Sequence, residues 1–214
     1  MAGPAGELHR RPVDWSARSV TVCEVDGPAL VLGSTQPADH VDAAAAAAAG
    51  VAVARRRSGG AAVLVEPGRL VWVDAVVPAR DPLWHNDVGR AGWWLGQSWV
   101  DALADLGLRG TEVHRGGLVR PSWSDRLCFA GLGPGEVTVA GGAKVVGIAQ
   151  RRTRHGALFQ CAVALRWDVA RAAGLLVLPP QQRAQLVADL AGRVAPLTDA
   201  GPAAVVDALL RHLP

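Results

Sequence analysis

The sequence predicts an α+β fold: a central mixed, largely antiparallel sheet flanked by helices. Three observations predict it. Short runs of β-branched and apolar residues, separated by Gly, Pro and Asp turns, fill residues 19–77 and 111–167. One helical periodicity interrupts them at 87–106, and the chain turns helical after Asp168. Hydrophobic residues make up 50% of the 214 and charged residues 19%, enough apolar material for one sizeable core and too much for a disordered chain.

Residues 1–18 are polar and read as a flexible lead-in, and 19–214 as a single domain. SVTVCEV (19–25) and PALVLGS (28–34) have strand composition and are parted by Asp26-Gly27. Pro37 opens an Ala-rich helix over 37–49 that Gly50 closes. VAVARRR (51–57) is a strand running into a glycine loop, and 61–77 is a hairpin turning at Glu66-Pro67-Gly68-Arg69. In 87–106, Val88, Ala91, Leu95, Trp99, Leu103 and Leu106 recur three or four apart, with Asp87 as cap and Gly107 as stop. Strands are predicted at 111–117, 126–132, 136–142, 143–152 and 155–167, then helices at 168–174, 180–193 and 201–213. The hairpins make the sheet antiparallel or mixed.

The net charge of +3 and pI of about 9.2 are mild, and the two dense basic runs, ARRRSGG (54–60) and AQRRTRHG (149–156), are short and sit in glycine loops. They argue against nucleic acid, which needs a basic stripe with stacking platforms, and suit a small anion better. Three cysteines in a chain of this size do not make a disulfide scaffold. No basic-then-apolar leader is visible and DAAAAAAAGVAVA (42–54) is too short to span a bilayer, so the expectation is a reduced, cytoplasmic protein without a membrane partner. CxxC, HxH, HExxH and GxSxG are absent, and no metal site is expected.

Three features can carry chemistry. In RRRSGGAAV (55–63) a strand ends in arginines and a Ser-Gly-Gly turn; this is either an Arg-flanked turn or an anion cradle, and it lacks the spacing of a phosphate-binding P-loop. Lys144, in GGAKVVGIAQRR (141–152), is the one lysine beside 21 arginines. It is either a chance survivor or a point charge that a planar guanidinium cannot replace near a carbonyl or phosphate that develops charge. Cys128, in RLCFAGL (126–132), is either a buried inert thiol or a nucleophile activated by a neighbouring cation, and His155-Gly156 is a further candidate.

In order and spacing, LVLGSTQ (30–36), RRRSGGAAV, GGAKVVGIAQRR and HGALFQ (155–160) resemble the lipoate–protein ligase family, across roughly residues 30–166. That family includes related octanoyltransferases and shares its catalytic fold with biotin–protein ligases and class II synthetases. The resemblance implies an enzyme that attaches a lipoyl or octanoyl group to a lysine of a lipoyl domain, in a 2-oxoacid dehydrogenase or a glycine cleavage carrier. It implies Arg56, Ser58, Gly59 and Gly60 as the lining of the acyl and phosphate pocket. Lys144, whose small neighbours Gly141, Gly142, Ala143 and Gly147 keep its surroundings open, would by the resemblance contact the acyl carbonyl and the activated intermediate, and His155 and Gly156 would close the pocket. A ligase would use ATP with Mg and lipoate, through an acyl-adenylate. The sequence departs from the family pattern at Ala61, where a third glycine is usual, after it in VLVEPG, which lacks a His-Asp pair, and before the lysine motif, where Cys128-Phe129 replaces an Asn-Asp pair. Cys-Phe is similar to the cysteine-dependent octanoyltransferases, which implies the alternative of a Cys128 thioester drawn from octanoyl-acyl carrier protein without ATP or other cofactor. A non-catalytic acyl- or carrier-binding relative is the third reading.

Overall fold

The computed structural model describes residues 1–214. Ten strands form two sheets. β1 (Ala2–Gly3), β2 (Ser19–Val25), β6 (Leu70–Pro78), β10 (Gly156–Ala164), β9 (Lys144–Thr153), β8 (Val137–Val139) and β7 (Thr111–Val113) lie side by side in that order as a seven-stranded sheet. β3 (Ala29–Leu32), flanked by β4 (Ala52–Arg55) and β5 (Val63–Val65), forms a three-stranded sheet. The β9–β10 and β10–β6 pairs are antiparallel, while β1–β2 and β3–β4 are parallel, so the fold is α+β with mixed sheets, as the strand and turn pattern predicts.

Register settles which side chains face which layer. Trp72 on β6 lies opposite Ala162 on β10, and Ala162 opposite Gly147 on β9; one step along, Asp74, Gln160 and Ala149 align. These alternate residues share one face of the large sheet. The other face carries Val71, Val73, Val163, Cys161 and Val146, and packs on α3 (Trp93–Asp105) and α6 (Pro202–Arg211) in the main core. In the small sheet, Leu30 and Leu32 face a second core with α2 (Ala43–Ala48), α4 (Val169–Gly174) and α5 (Pro180–Leu190). Val31, Val63 and Val65 face back toward the large sheet.

Several elements differ from their predicted extent. The helix expected over 37–49 is interrupted: Ala38–His40 is a single tight turn, Val41 bridges to Leu176, and Asp42 starts α2 by accepting a hydrogen bond from Ala45 N at 2.9 Å. Asp87 caps an earlier turn by accepting from Gly89 N at 2.7 Å, so α3 begins only after Gly92 and Val88 is exposed. Leu95, Trp99 and Leu103 on its face, and Ala91 in the turn before it, are buried as the periodicity predicts. The strand expected over 126–132 is absent. Leu127 makes one bridge to Ala62, and Cys128–Ala130 is a tight turn leading into the Gly131–Gly135 loop.

Residues 1–18, expected as a flexible lead-in, instead add β1 to the sheet edge and α1 (Ala5–Arg10) to its face. Ala5 and Leu8 are buried against the strands, and Arg11 pairs with the fully buried Asp74 at 2.6 Å. The segment reads as polar because its apolar contacts are few and separated; they become visible only once the sheet supplies their partners.

Candidate functional site

An open cleft lies between the two sheets. Its floor is the shared face of the large sheet, with Gly147, Ala149, Gln160 and Ala162; its roof is Val31, Val63 and Val65 of the small sheet. Small residues in the floor and β-branched ones in the roof leave a mostly apolar slot.

Lys144 stands at the start of β9 and enters the cleft because of a bulge. Val137 of β8 pairs with Val146, but the next residue, Thr138, pairs with Lys144, so Val145 is extra. Val145 and Val146 are both in the main core, and the alternation that would place Val145 over the cleft places Lys144 there instead. The backbone of Lys144 is held on its free side by the C-terminal segment, its N–H donating to Arg193 O at 2.8 Å and its carbonyl accepting from Ala195 N at 2.9 Å. Its ammonium is 3% exposed and donates to Glu136 Oε2 at 2.7 Å and to the Cys128 carbonyl at 3.1 Å, with the Phe129 ring centroid 5.4 Å away. Glu136 is also fixed: Oε2 accepts from Gly133 N at 2.6 Å and Oε1 from Ile148 N at 3.1 Å. A buried ion pair is tolerated when its remaining hydrogen-bonding capacity is met, and here it is. An ammonium has three N–H donors; two are used within the chain, leaving one for an oxygen in the cleft.

Cys128 shares the cleft lining with Lys144. Its N–H donates to Ala62 O at 2.9 Å, stitching the thiol-bearing turn to the glycine loop of 58–62. Gly60 has φ +95°, a conformation that favours glycine, and a Cβ there would come within 2.7 Å of Arg56 Nη2 and 3.3 Å of Cys128 Sγ. Ala61 has no positive φ, so alanine in place of a third glycine causes no backbone strain. Gly33 is required too: a Cβ would lie 1.7 Å from the Gly60 carbonyl oxygen.

Arg56 is buried, and its guanidinium binds carbonyls: Nε and Nη2 to Gly59 O (3.2 and 2.8 Å), Nη1 to Val31 O (3.2 Å) and Nη2 to Ala61 O (2.9 Å). Nη2 also lies 3.8 Å from Cys128 Sγ. Arg56 therefore shapes the loop, and little of its fork is left for a phosphate. Ser58 is buried and donates to Gln160 Oε1 at 2.7 Å, beneath the cleft. Gly59 and Gly60 are exposed, and their backbone N–H groups have no partner within the chain.

His155 and Gly156 do not line the cleft. They form the β9–β10 turn, at the far end of β9 from Lys144, about 30 Å away along the strand. His155 is exposed beside Arg154, and Gly156 is required by the Val77 carbonyl and Trp15, which a Cβ would meet at 2.5 and 2.8 Å. Both are placed at a hairpin, so the expectation that they close the pocket is corrected.

The structure adds residues that sequence reasoning missed. Glu136 is one; a lone carboxylate opening the strand that pairs with the only lysine is the signal that could have found it. A second group is a buried polar cluster at the other side of the cleft. Gln160 Nε2 donates to His9 Nδ1 at 3.2 Å and approaches both oxygens of Asp74 at 3.3 and 3.4 Å, and Asp74 also accepts from Trp72 Nε1 at 2.5 Å. Burial pushes the Asp74 carboxyl up, while Arg11 and the N–H donors of Trp72, Arg11 and Gln160 pull it back. Burial, followed by the charges of Arg56 and Arg11, pushes His9 down to about 3. The signal in this case is Asp74 itself, a charge in the middle of the apolar strand LVWVDAVV. No cluster of three His, Cys, Asp or Glu side chains is arranged to hold a metal ion, and no helix is long and apolar enough to cross a membrane.

The fold and cleft therefore define an α+β domain with an apolar slot bounded by a glycine loop and a single buried ammonium. Residues 9–213 match the lipoyl protein ligase A/B catalytic domain, and the chain belongs to that family. Solved structures agree on the fold. A bipartite lipoate protein ligase from Thermoplasma acidophilum superimposes with a TM-score of 0.74 at 21% identity, over 96% of this chain and 73% of that one. A lipoate-protein ligase A bound with ATP gives 0.69 at 20%, over 97% and 76%. A biotin protein ligase from Aquifex aeolicus in complex with biotin and ATP gives 0.50 at 10%, over 99% and 65%. Among curated proteins, none matches the sequence.

Proposed function

We propose that the protein transfers an octanoyl group from acyl carrier protein to a lysine of a lipoyl domain, through a thioester on Cys128. The observation that carries this reading is that Cys128 and Lys144 line one apolar cleft, with the Lys144 ammonium bonded to the Cys128 carbonyl at 3.1 Å. In the first half-reaction the Cys128 thiolate attacks the carrier thioester. A new C–S bond forms to Cys128, the C–S bond to the carrier breaks, and the carrier sulfur leaves with the proton that the Cys128 thiol gave up; the negative oxygen of the tetrahedral intermediate is met by the third N–H of Lys144. In the second, the amine of the lipoyl-domain lysine attacks the Cys128 thioester, an amide forms, and the departing thiolate takes the amine's proton. Glu136 holds the ammonium in place in both steps, and the slot between the sheets holds the acyl chain.

A ligase reading has one observation in its favour. The unpartnered N–H groups of Gly59 and Gly60 could receive an anion such as the phosphate of an acyl-adenylate. Against it, Arg56 binds carbonyls through both Nη atoms and Nε, and the phosphate contact implied for it has little left to act with.

The two readings share a product, an acylated lysine on a lipoyl domain. The test is to incubate the protein with apo lipoyl domain and read its intact mass, once with octanoyl-acyl carrier protein and once with lipoate, ATP and Mg. Octanoyl transfer without ATP supports the transferase, and transfer only with ATP, surviving Cys128→Ser, replaces it with the ligase. No gain in either arm leaves the non-catalytic acyl-binding reading.

A further inference from the structure

The slot runs across the large sheet. Lys144 enters it at β9, and in the tier just beyond stand Gly147 on β9, Ala162 on β10 and Trp72 on β6, in register with one another. Two small residues are followed by the largest side chain there is. Two strand spacings separate β9 from β6, about 10 Å, a reach comparable with an extended eight-carbon chain. Trp72 is 4% exposed and does not stand alone: the His9 ring stacks on it with centroids 4.1 Å apart at 28°. Both rings line the cleft.

We propose that the stacked pair of His9 and Trp72 forms the end wall of the acyl slot and sets the length of chain it takes; the inference rests on the acyl-transfer reading above.

The wall is built to keep its position. Trp72 Nε1 is fixed by Asp74, and His9 Nδ1 accepts from Gln160 Nε2. Asp74 determines which way the Gln160 amide points, since only its NH₂ end can face a carboxylate, and Ser58 donates to the opposite Oε1. The proton of a neutral His9 then resides on Nε2. A neutral ring suits the apolar end of a chain, and burial together with Arg56 and Arg11 keeps it neutral. Arg57 Nη2 donates to the Arg10 carbonyl at 2.7 Å, tying α1, which carries His9, to the glycine loop beside Cys128. Wall and thiol therefore belong to one connected frame.

The test measures binding and transfer separately. Saturated fatty acids of six to fourteen carbons are titrated against the wild-type chain, His9→Ala and His9→Phe by isothermal titration, and the matching acyl-carrier thioesters are assayed for transfer. The wild-type affinity should rise about fourfold per methylene up to eight carbons and then stop. His9→Ala should move that stop roughly two methylenes outward, and His9→Phe, which restores a ring, should return it to eight. Ala162→Val, which raises the floor inside the slot, should move it inward and keeps the wall testable if His9→Ala fails to fold. An unchanged optimum in both His9→Ala and Ala162→Val overturns the wall while leaving acyl transfer intact. Absence of both fatty-acid binding and octanoyl transfer in the wild-type chain overturns both.

Discussion

The ammonium of Lys144 and the carboxylate of Glu136 meet at 2.7 Å with 3% and 5% of their side chains exposed. Such a pair is sensitive to the loss of either partner, because the survivor is left charged and buried, a penalty of about 3–5 kcal/mol. Glu136→Ala should therefore lower the midpoint of thermal unfolding sharply. Glu136→Gln keeps the shape but loses the charge and, with one acceptor oxygen in place of two, can keep only one of the Gly133 and Ile148 contacts; it should slow acyl transfer on the order of 10- to 100-fold with a smaller loss of stability than Glu136→Ala. Near-normal transfer by Glu136→Gln would remove Glu136 from the site.

Lys144→Arg tests why one lysine persists among arginines. The niche between Glu136, the Cys128 carbonyl and Phe129 fits a compact cation, and a planar fork cannot direct one N–H at the same oxygen. The variant should fold, by circular dichroism, and lose about 10²- to 10³-fold in transfer rate.

Gly60 and its neighbour differ in what they require. Gly60→Ala meets a positive φ, the Arg56 guanidinium and the Cys128 sulfur, and should destabilise by about 1–3 kcal/mol in denaturant titration. Gly59 has an ordinary φ and open space around it, so Gly59→Ala should leave the unfolding midpoint nearly unchanged.

The three cysteines should separate cleanly under alkylation. Burial pushes Cys23 and Cys161 up to about 12, with 4% and 0% of each exposed. Cys128 is half-buried at the cleft. Iodoacetamide should label the native protein once, at Cys128, and peptide mapping of Cys128→Ser should find no rapid label.

His9 makes the stability depend on pH in a known direction. The unfolded imidazole takes up a proton near pH 6.5 and the folded one near 3, so between those values the unfolded chain binds more protons. The stability associated with a neutral His9 is complete above pH 6.5 and is lost as the pH falls toward 3, at most about 1.4 kcal/mol per pH unit. Asp74, whose carboxyl is pushed up, works in the opposite sense as the pH rises above 3.8. The difference between the wild-type chain and His9→Phe cancels that contribution. The wild type should lose ground to His9→Phe as unfolding is measured from pH 7 down to 5; parallel curves would contradict the burial of a neutral ring.

What was legible in the sequence was local. β2, β6, β9, β10 and the three C-terminal helices fall close to their predicted ranges, because alternation, glycine turns and Pro at helix starts act within a few residues of one another. Lys144 stood out by residue count, and Cys128 by its place in the family pattern. What was not legible was set at long range. The bulge that turns Lys144 into the cleft depends on the pairing of β8 with β9. The partners of Arg56 are carbonyls of two segments, β3 and the glycine loop, and His155 is far from the cleft because a hairpin turn lies at the opposite end of its strand from Lys144. Glu136, His9 and Asp74 acquire meaning only through partners 8, 151 and 63 residues away, in Lys144, Gln160 and Arg11.

In the transfer proposed above, Cys128 carries the acyl group. Mixing the protein with octanoyl-acyl carrier protein, with no lipoyl domain and no ATP, and reading its intact mass tests this directly. The mass should rise by one octanoyl group, removed by neutral hydroxylamine, mapped to Cys128 and absent in Cys128→Ala. An unmodified mass, or a gain that persists in Cys128→Ala, would contradict it.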